Sequence, residues 1–247
     1  FYAELVQRVA TLTAQWVAAG FCHAVLNTDN MSITGESFDY GPFAFINTYD
    51  LRFTAAYFDY AGRYCYGNQP AMCHWNLEML QRPLRAVIAI AEMDAALSNF
   101  GTQFQTAYTQ LMLSKLGFSS TLSPATEALV KLTLQLLQVS ETSYHQFFAD
   151  LSQQFSPSWR DESEQILHAV NFAQTDDQIA CLNQWRQHYH HLLLETSPEA
   201  LEAMPTTLHR YNPLTVPTRP YIEAIWEPIV QDDNWQPFYE LLEQIRK

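Results

Sequence analysis

Apolar residues at three- and four-residue steps recur over most of the chain and predict a mainly helical protein. In the opening segment, Leu5, Val9 and Trp16 follow the spacing of a helix that buries one face. Between about residues 21 and 66, Gly, Asn, Asp and Tyr alternate with short apolar runs, which is typical of loops and short strands. Further helices are predicted over 76–97, 101–116, 124–139, 141–151, 161–173, 177–195, 197–203, 220–230 and 235–246.

Capping residues and prolines indicate where several of these helices begin or end. Ser123 precedes Pro124, and Ser197 precedes Pro198, which is the arrangement of an N-cap followed by proline in the first turn. Four prolines occur from Met204 to Pro220, so this segment is predicted to be an extended connection rather than a helix. The final helices would therefore follow a break in the helical pattern.

The charge balance limits the classes of partner. The chain has 26 Asp and Glu against 13 Lys and Arg, a net charge of −13. Such a protein repels phosphate backbones and anionic lipid, so we expect no nucleic acid and no membrane as a partner. The apolar stretch 86–91 is far shorter than the roughly 20 residues that span a bilayer. Four scattered cysteines suit neither a disulfide framework nor a zinc module, so a reducing, cytoplasmic setting is predicted.

The polar residues from His23 to Gly41 can be compared with the protein-kinase pattern. There, an Asn lies seven residues after the His of His-Arg-Asp, and Asp-Phe-Gly follows. Asn30 lies seven residues after His23, and Asp39-Tyr40-Gly41 replaces one aromatic residue with another. Amide and carboxylate oxygens are the ligands with which proteins hold Mg²⁺ against ATP phosphates. Asn30 and Asp39 are therefore predicted to bind metal, and Asp39 also to bind the ATP complex.

The catalytic aspartate of protein kinases has no counterpart at the usual position. Val25 stands two residues after His23, and valine can neither accept a proton nor orient a hydroxyl. Asp29, immediately before Asn30, is the predicted replacement as catalytic base. Asn, Asp and Gly are also common turn formers, so spacing alone leaves open a second interpretation, two polar turns without catalytic function.

Five blocks of sequence resemble the selenoprotein O family, in order and at the family's spacing. They are residues 20–33, 38–46, 62–64, 68–70 and 75–77. Two features depart from the family pattern. Ala24 stands where the family usually has Gly, and residues 212–225 match the C-terminal pattern only loosely.

This resemblance implies a protein-kinase-like fold, mainly α with short β elements. A C-lobe core with the catalytic and metal loops would occupy residues 1–100, and a family-specific helical part residues 101–247. The resemblance further implies transfer of AMP from ATP to Ser, Thr or Tyr hydroxyls of protein substrates, with Mg²⁺, or Mn²⁺ as an alternative. Asp29 would accept the proton, while Asn30 and Asp39 would hold the metal.

The chain begins at Phe1, in what the pattern predicts to be the middle of a helix. No glycine-rich phosphate loop and no candidate Lys–Glu pair precede His23. We therefore expect a fragment whose missing N-terminal half carries the rest of the ATP site, and we expect the chain to be inactive alone.

Two other functions stay open: a protein phosphotransferase with its base moved to Asp29, and a non-catalytic nucleotide-binding module of the pseudokinase type. Two further clusters are weaker candidates. The histidines 188, 190 and 191 lack a third metal ligand at a recognised spacing. The aromatic segment 57–66 suits either contact with a protein substrate or simple packing.

Overall fold

A computed structural model describes residues 1–119 and 122–246, and these residues are mainly helical, as predicted. The described helices are α1 Tyr2–Ala18, α2 Gln69–Leu84, α3 Ile90–Leu97, α4 Phe100–Lys115, α5 Pro124–Ser140, α6 Tyr144–Gln154, α7 Asp176–Glu195, α8 Pro198–Tyr211, α9 Arg219–Asp232 and α10 Gln236–Ile245. Two short strands, β1 Phe21–Cys22 and β2 Ala44–Phe45, pair with each other. None of the helices described has both the length and the apolar character that crossing a bilayer requires.

The chain divides into two compact units. Unit 1 contains Phe1–Ala44 and Asp50–Leu113. Unit 2 contains Phe45–Tyr49 and the chain from Ser114 onward. Unit 1 is therefore built from two segments, with five residues of unit 2 between them.

Helix α1 packs against α2 and α3 in unit 1. Leu5, Val9 and Trp16 lie on its buried face, as their spacing predicts. The hydroxyl of Tyr2 donates a 2.9 Å hydrogen bond to the carbonyl of Leu77 on α2. Full burial of one large apolar side chain contributes about 1.5–3 kcal/mol. Burial of this face therefore stabilises the position of α1, and α1 in turn supports the strand and loops that follow it.

Helices α5 and α7 form a packed pair in unit 2. The Nε1–H of the buried Trp185 donates a 2.8 Å hydrogen bond to Oγ1 of Thr133. Tyr189 stacks on Trp185, with ring centroids 4.9 Å apart, and its hydroxyl donates to the carbonyl of Leu116 at 3.0 Å. Both aromatic donors thus have acceptors inside the core, as buried Trp and Tyr require.

The segment Phe45–Tyr49 is held by backbone contacts within unit 2. The N–H of Tyr144 donates a 2.8 Å hydrogen bond to the carbonyl of Asn47. Thr48 forms an isolated antiparallel bridge with Ser143. These contacts place the segment beside the start of α6.

Two predicted N-caps are confirmed. The side chain of Ser123 accepts a hydrogen bond from the N–H of Thr126, and the Thr126 side chain accepts one from the N–H of Ser123. The side chain of Ser197 accepts one from the N–H of Ala200 at 3.2 Å. Each cap satisfies an N–H that the helix itself leaves free, which contributes about 1 kcal/mol.

The helix predicted over 161–173 does not form. A short 3₁₀ turn at Ser163–Gln165 leads into Leu167, whose φ of 50° lies in the left-handed region. The Arg186 guanidinium on α7 donates 2.8 Å hydrogen bonds to the carbonyls of Ile166 and Leu167. These carbonyls are bound by a side chain from elsewhere in the chain, which the periodicity of the segment could not reveal.

The extended connection predicted from Met204 to Pro220 is wrong in its first half. Helix α8 continues through Pro205 and ends at Tyr211. Proline inside a helix costs about 3 kcal/mol because it removes a hydrogen bond and crowds the preceding turn. Three buried apolar side chains share one face of α8: Leu201, Met204 and Leu208. Their burial, at about 1.5–3 kcal/mol each, outweighs the cost of the proline.

The single helix predicted over 76–97 is in fact two helices, α2 and α3, separated by residues 85–89. Helix α2 also begins at Gln69 rather than at residue 76, because Pro70 occupies its first turn. A proline there loses no hydrogen bond, since the first N–H groups of a helix have no partner in the helix. Pro70 therefore opens the helix rather than interrupting it.

Candidate active site

The predicted base and one predicted metal ligand lie on a 3₁₀ turn, Thr28–Asn30, which follows β1 in unit 1. The side chain of Asn27 caps this turn by accepting hydrogen bonds from the N–H groups of Asp29 and Asn30, both at 3.1 Å. An asparagine that binds the backbone two and three residues ahead is a common way to fix such a turn. Asn27 was not among the predicted site residues, although its type and position are those of a cap.

The amide of Asn30 has a defined orientation. Its Nδ2 donates a 2.9 Å hydrogen bond to the carbonyl of Val25. A carbonyl can only accept, so the amide nitrogen must face Val25 and Oδ1 must face away. Val25, which cannot replace a catalytic aspartate, thus contributes through its backbone. Oδ1 of Asn30 is therefore left without a hydrogen-bond donor among the residues described.

The side chain of Asp29 is exposed, and its carboxylate accepts no hydrogen bond from the residues that the structure describes. Its own N–H is bound to Asn27, so the backbone of the turn is fixed while the carboxylate remains accessible. A carboxylate in this state can reach a substrate hydroxyl. Its role as base stays a prediction.

Asp39 lies on a second loop, in an uncommon backbone conformation. Its φ of 57° is in the left-handed region, where an Asp is accepted more readily than most residues. The hydroxyl of Tyr40 donates to the carbonyl of Ser37 at 3.2 Å, and Nε1–H of Trp16 donates to Oγ of Ser37 at 3.0 Å. The Tyr40 ring meets Phe21 at a centroid distance of 6.0 Å. The loop is thus fixed against β1 and α1, and the Asp39 side chain is exposed.

His23 links the two loops. It lies at the start of the first loop, is fully buried, and its Nε2 is 2.8 Å from the carbonyl of Phe38, the residue before Asp39. Because the carbonyl can only accept, Nε2 must carry the proton. The histidine of the kinase-like motif therefore serves as a connection between the Asn30 segment and the Asp39 segment.

Gln69 and Asn76 on α2 hold the backbone that leads into the first loop. Gln69 accepts a 2.9 Å hydrogen bond from the N–H of His23 and donates one of the same length to the carbonyl of Phe21. Nδ2 of Asn76 donates to the carbonyl of Leu26 at 3.0 Å and lies 3.3 Å from that of Asn27. Both residues lie within the sequence blocks 68–70 and 75–77, where sequence alone gives them no role. No spacing rule links α2 to a loop some 45 residues earlier.

Ala24 departs from the family pattern at a position where the backbone favours glycine. Its φ is 69°, in the left-handed region, and its side chain is fully buried. An L-residue with a Cβ costs roughly 1–2 kcal/mol in this conformation, whereas glycine adopts it freely. The hydrogen bond from His23 to Gln69 holds the chain immediately before Ala24 and so supports the strained position.

The donor types, an amide oxygen and a carboxylate, are those that bind a magnesium ion held by a nucleotide. Mg²⁺ in nucleotide sites takes one or two protein oxygen ligands together with phosphate oxygens and water. Asn30 presents a free amide oxygen, and the Asp39 carboxylate accepts no hydrogen bond from the part of the chain that is described. Among those same residues, no group of three or more His, Cys, Asp or Glu is arranged to hold a metal by itself.

The two weaker candidates differ in their local contacts. On α7, Nε2 of His190 is 2.9 Å from the carbonyl of Arg160, and His191 is 3.3 Å from the carboxylate of Glu195. Both rings thus have local partners. In the aromatic segment, Tyr57 and Tyr60 are 86% and 94% exposed, so packing within unit 1 does not account for them.

The known proteins that the chain resembles belong to one class, the protein nucleotidyltransferases. The chain is 55% identical over 246 residues to the protein nucleotidyltransferase YdiU of Trichormus variabilis, and 51% identical over 251 residues to the protein of the same name in Synechocystis sp.. The corresponding protein of Pseudomonas putida is 36% identical over 216 residues. A family model described as protein adenylyltransferase SelO matches residues 1–246, and the chain belongs to this family. The resemblance drawn from the five sequence blocks is confirmed.

The relatives are longer than the chain. The matches cover 100% of this chain but 51% of the Trichormus protein and 52% of the Synechocystis protein. In Pseudomonas putida the corresponding values are 87% and 42%. The chain therefore spans about half the length of the curated relatives that it matches.

Proposed function

We propose that the chain is part of a protein adenylyltransferase that moves AMP from ATP to a Ser, Thr or Tyr hydroxyl of a protein substrate. Two findings support the proposal. The chain belongs to the SelO family over residues 1–246. The hydrogen bond between His23 and Phe38 links the two loops that carry Asp29, Asn30 and Asp39. This bond is the structural observation on which the proposal depends most.

In the proposed reaction, the substrate hydroxyl oxygen forms a bond to the α-phosphorus of ATP. The bond from that phosphorus to the oxygen bridging the β-phosphate breaks, and pyrophosphate leaves. Asp29 accepts the hydroxyl proton, because its carboxylate is exposed while its backbone is fixed by Asn27. A positioned base of this kind contributes typically 10²- to 10⁴-fold to the rate.

Asn30 and Asp39 would hold the Mg²⁺ ion, with Mn²⁺ as the alternative. When bound, the ion supplies positive charge that neutralises the triphosphate. The residues of this chain contribute orientation. Val25 fixes the amide of Asn30, and the left-handed backbone at Asp39 sets the direction of its carboxylate.

We further propose a kinase-like arrangement in which these loops form one side of the nucleotide site. The remaining part of the longer protein would supply the groups that cradle the triphosphate. On this view the 247-residue chain binds ATP weakly and transfers nothing alone, because catalysis by a positioned nucleotide needs both sides of the site. A cytoplasmic location stays a prediction.

Labelled ATP tests the proposal against its alternatives. The longer protein that contains this chain is incubated with Mg²⁺, candidate protein substrates and ATP labelled on either the α- or the γ-phosphate. Label from the α-phosphate on protein, with release of pyrophosphate, is the expected result. Transfer of the γ-label alone would replace the proposal with phosphotransfer from the same loops. Nucleotide binding without transfer of either label would establish the non-catalytic module.

A further inference from the structure

One oxygen atom joins the proposed base to a proposed metal ligand. Oδ1 of Asn27 accepts the N–H of Asp29 and the N–H of Asn30, both at 3.1 Å. Asn27 itself has an extended backbone, with φ of −81° and ψ of 175°, as is usual for a residue that caps a helical turn. Because the two N–H groups meet at a single acceptor, the position of Asp29 relative to Asn30 depends on this side chain.

The backbone of Asn27 is in turn held by helix α2. Nδ2 of Asn76 donates to the carbonyl of Leu26 at 3.0 Å and lies 3.3 Å from the carbonyl of Asn27. Asn76 is 5% exposed, and Leu26 is fully buried. The main chain at Asn27 is therefore anchored to the core of unit 1, while its side chain reaches forward to the turn. A cap that is anchored in this way holds the turn in place rather than moving with it.

The two residues that Asn27 holds differ in their other hydrogen bonds. The N–H of Asn30 also donates to the main-chain carbonyl of Asn27 at 3.2 Å, and Nδ2 of Asn30 donates to the carbonyl of Val25 at 2.9 Å. For Asp29, the bond from its N–H to Asn27 is the one hydrogen bond found in the described part of the chain. Loss of the Asn27 oxygen would therefore release Asp29 and leave Asn30 held by Val25.

We propose that Asn27 is the positioning residue for the base of AMP transfer, because its side-chain oxygen holds Asp29 at a fixed position relative to the metal ligand Asn30. The inference rests on the proposed function for the roles of Asp29 and Asn30. A misplacement of a reacting group by about 1 Å can cost about 10²-fold in rate. Removal of the acceptor should thus lower the turnover number and change the binding of ATP and Mg²⁺ much less.

Asn27→Ala in the longer protein that contains the chain tests this difference with α-labelled ATP. We expect kcat to fall about 10- to 100-fold, with the KM for ATP and the half-saturating Mg²⁺ concentration within about threefold of the unsubstituted values. Asn27→Ser restores an acceptor, since Ser is also a preferred cap, and should recover kcat to within about fivefold. An unchanged kcat in Asn27→Ala, or no recovery in Asn27→Ser, would overturn the proposal.

Ser123→Ala is the matched control for stability. Ser123 caps α5 in unit 2 by accepting the N–H of Thr126, so this substitution also removes a cap. Both substitutions should lower the thermal unfolding midpoint by similar amounts, but Ser123→Ala should leave kcat unchanged. Equal losses of kcat in the two variants would show that destabilisation is the cause, against the proposal. Asn27→Gly also removes the oxygen, and glycine is a better cap than alanine, so it repeats the kinetic test at a smaller cost in stability.

A double substitution shows whether Asn27 acts through Asp29. In the Asp29→Ala background, where the base is already absent, Asn27→Ala should lower kcat by less than about twofold. If the two separate losses of kcat instead multiply, Asn27 acts independently of Asp29 and its assignment as a positioning residue for the base is wrong.

Amide hydrogen exchange, measured by mass spectrometry with residue-level fragmentation, reports on the turn without any transfer of AMP. In Asn27→Ala the N–H of Asp29 should exchange at least about fivefold faster, and Asn27→Ser should reverse the change. Unchanged exchange at Asp29 would contradict the proposed hold. Absence of AMP transfer in the unsubstituted protein would overturn the proposed function, whereas normal transfer in Asn27→Ala would overturn only the role of Asn27.

Discussion

The N–H of His23 donates a 2.9 Å hydrogen bond to Oε1 of Gln69, a residue 46 positions further along the chain. Gln69 also binds the carbonyl of Phe21, so its side-chain amide pairs with the backbone of β1 in the way that a neighbouring strand would. The side chains of His23 and Gln69 are both fully buried. A glutamine on a helix thus takes the place of a strand at the start of the candidate active site.

Replacement of this amide should destabilise unit 1. In Gln69→Leu, the N–H of His23 and the carbonyl of Phe21 lose their partner in the core, at about 1–3 kcal/mol each. We expect a loss of about 2–5 kcal/mol in the free energy of unfolding, measured by urea titration. Gln135→Leu on the exposed face of α5 is the control and should change stability by less than about 0.5 kcal/mol. Similar values for both would show that Gln69 does not support the strand.

Asp39→Ala should abolish AMP transfer in the longer protein, by several orders of magnitude, without unfolding it. The side chain is exposed and accepts no hydrogen bond from the described residues, so its removal leaves no core group unpaired. The fold is checked by circular dichroism and the activity by transfer of the α-label with Mg²⁺ titration. Near-normal, magnesium-dependent transfer by a folded Asp39→Ala variant would disprove its role as ligand.

Asp29→Ala should give a different pattern, because the residue is proposed as the base rather than as a ligand. Affinity for ATP and Mg²⁺ should remain, and turnover should fall by roughly 10²- to 10⁴-fold. The two effects are separated by measuring nucleotide binding by calorimetry and turnover by label transfer. A collapse of ATP binding in this variant would reassign Asp29 to the metal.

Alanine substitutions at two glycines should change the free energy of unfolding in opposite directions. Gly117 has φ of 91°, and a Cβ there would lie 2.8 Å from Cε of Met204 and 3.2 Å from Cγ of Leu208. Gly117→Ala should therefore lower the free energy of unfolding by about 1–3 kcal/mol. At Gly101, in the first turn of α4, a Cβ meets nothing within 4 Å, so Gly101→Ala should raise stability by up to about 1 kcal/mol. Thermal unfolding of both variants checks the opposite signs.

Lys115 should make the stability of unit 2 depend on pH. The side chain is only 6% exposed, and burial lowers the pKa of its ammonium group from 10.5 to about 7. Its Nζ lies 4.3 Å from the ring centroid of Phe148 and donates to the carbonyl of Tyr211 at 3.3 Å. Between pH 7 and 10.5 the unfolded chain binds the proton that the folded chain has lost, so stability rises with pH across this window.

Lys115→Met should remove that dependence. It should raise the free energy of unfolding by about 1–4 kcal/mol at pH 7, with a smaller gain at pH 8.5, because no buried cation remains. Burial lowers the pKa of His145 from 6.5 to about 4 and raises the pKa of Cys73 from 9.0 to about 12, so these two groups change stability mainly below pH 6.5 and above pH 9.0, outside the range from pH 7 to 8.5. Lys131→Met on the exposed face of α5 is the control. A decrease in stability with Lys115→Met would show that its hydrogen bond outweighs its desolvation.

Local patterns predicted the elements that depend on local physics. Apolar spacing located the helices α1, α5 and α7, and the caps Ser123 and Ser197 marked two helix starts. The failures share one cause. Arg186 binds carbonyls some 20 residues earlier, and the buried face of α8 outweighs the cost of Pro205. Long-range packing therefore determined the structure of both segments that were predicted wrongly. For the candidate site, spacing selected Asp29 and Asp39 as candidates, and their roles stay predictions. His23, Gln69 and Asn76 received no structural role because their partners lie elsewhere in the chain.

The interruption of unit 1 by Phe45–Tyr49 has a consequence for synthesis on the ribosome. The carbonyl of Asn47 pairs with the N–H of Tyr144, 97 residues later. At about 5–20 residues per second, Asn47 emerges roughly 5–20 s before its partner. During that interval the helices of unit 1 can pack together, while the carbonyl of Asn47 still lacks its partner at the start of α6. Slower translation of the residues before α6 would lengthen this interval.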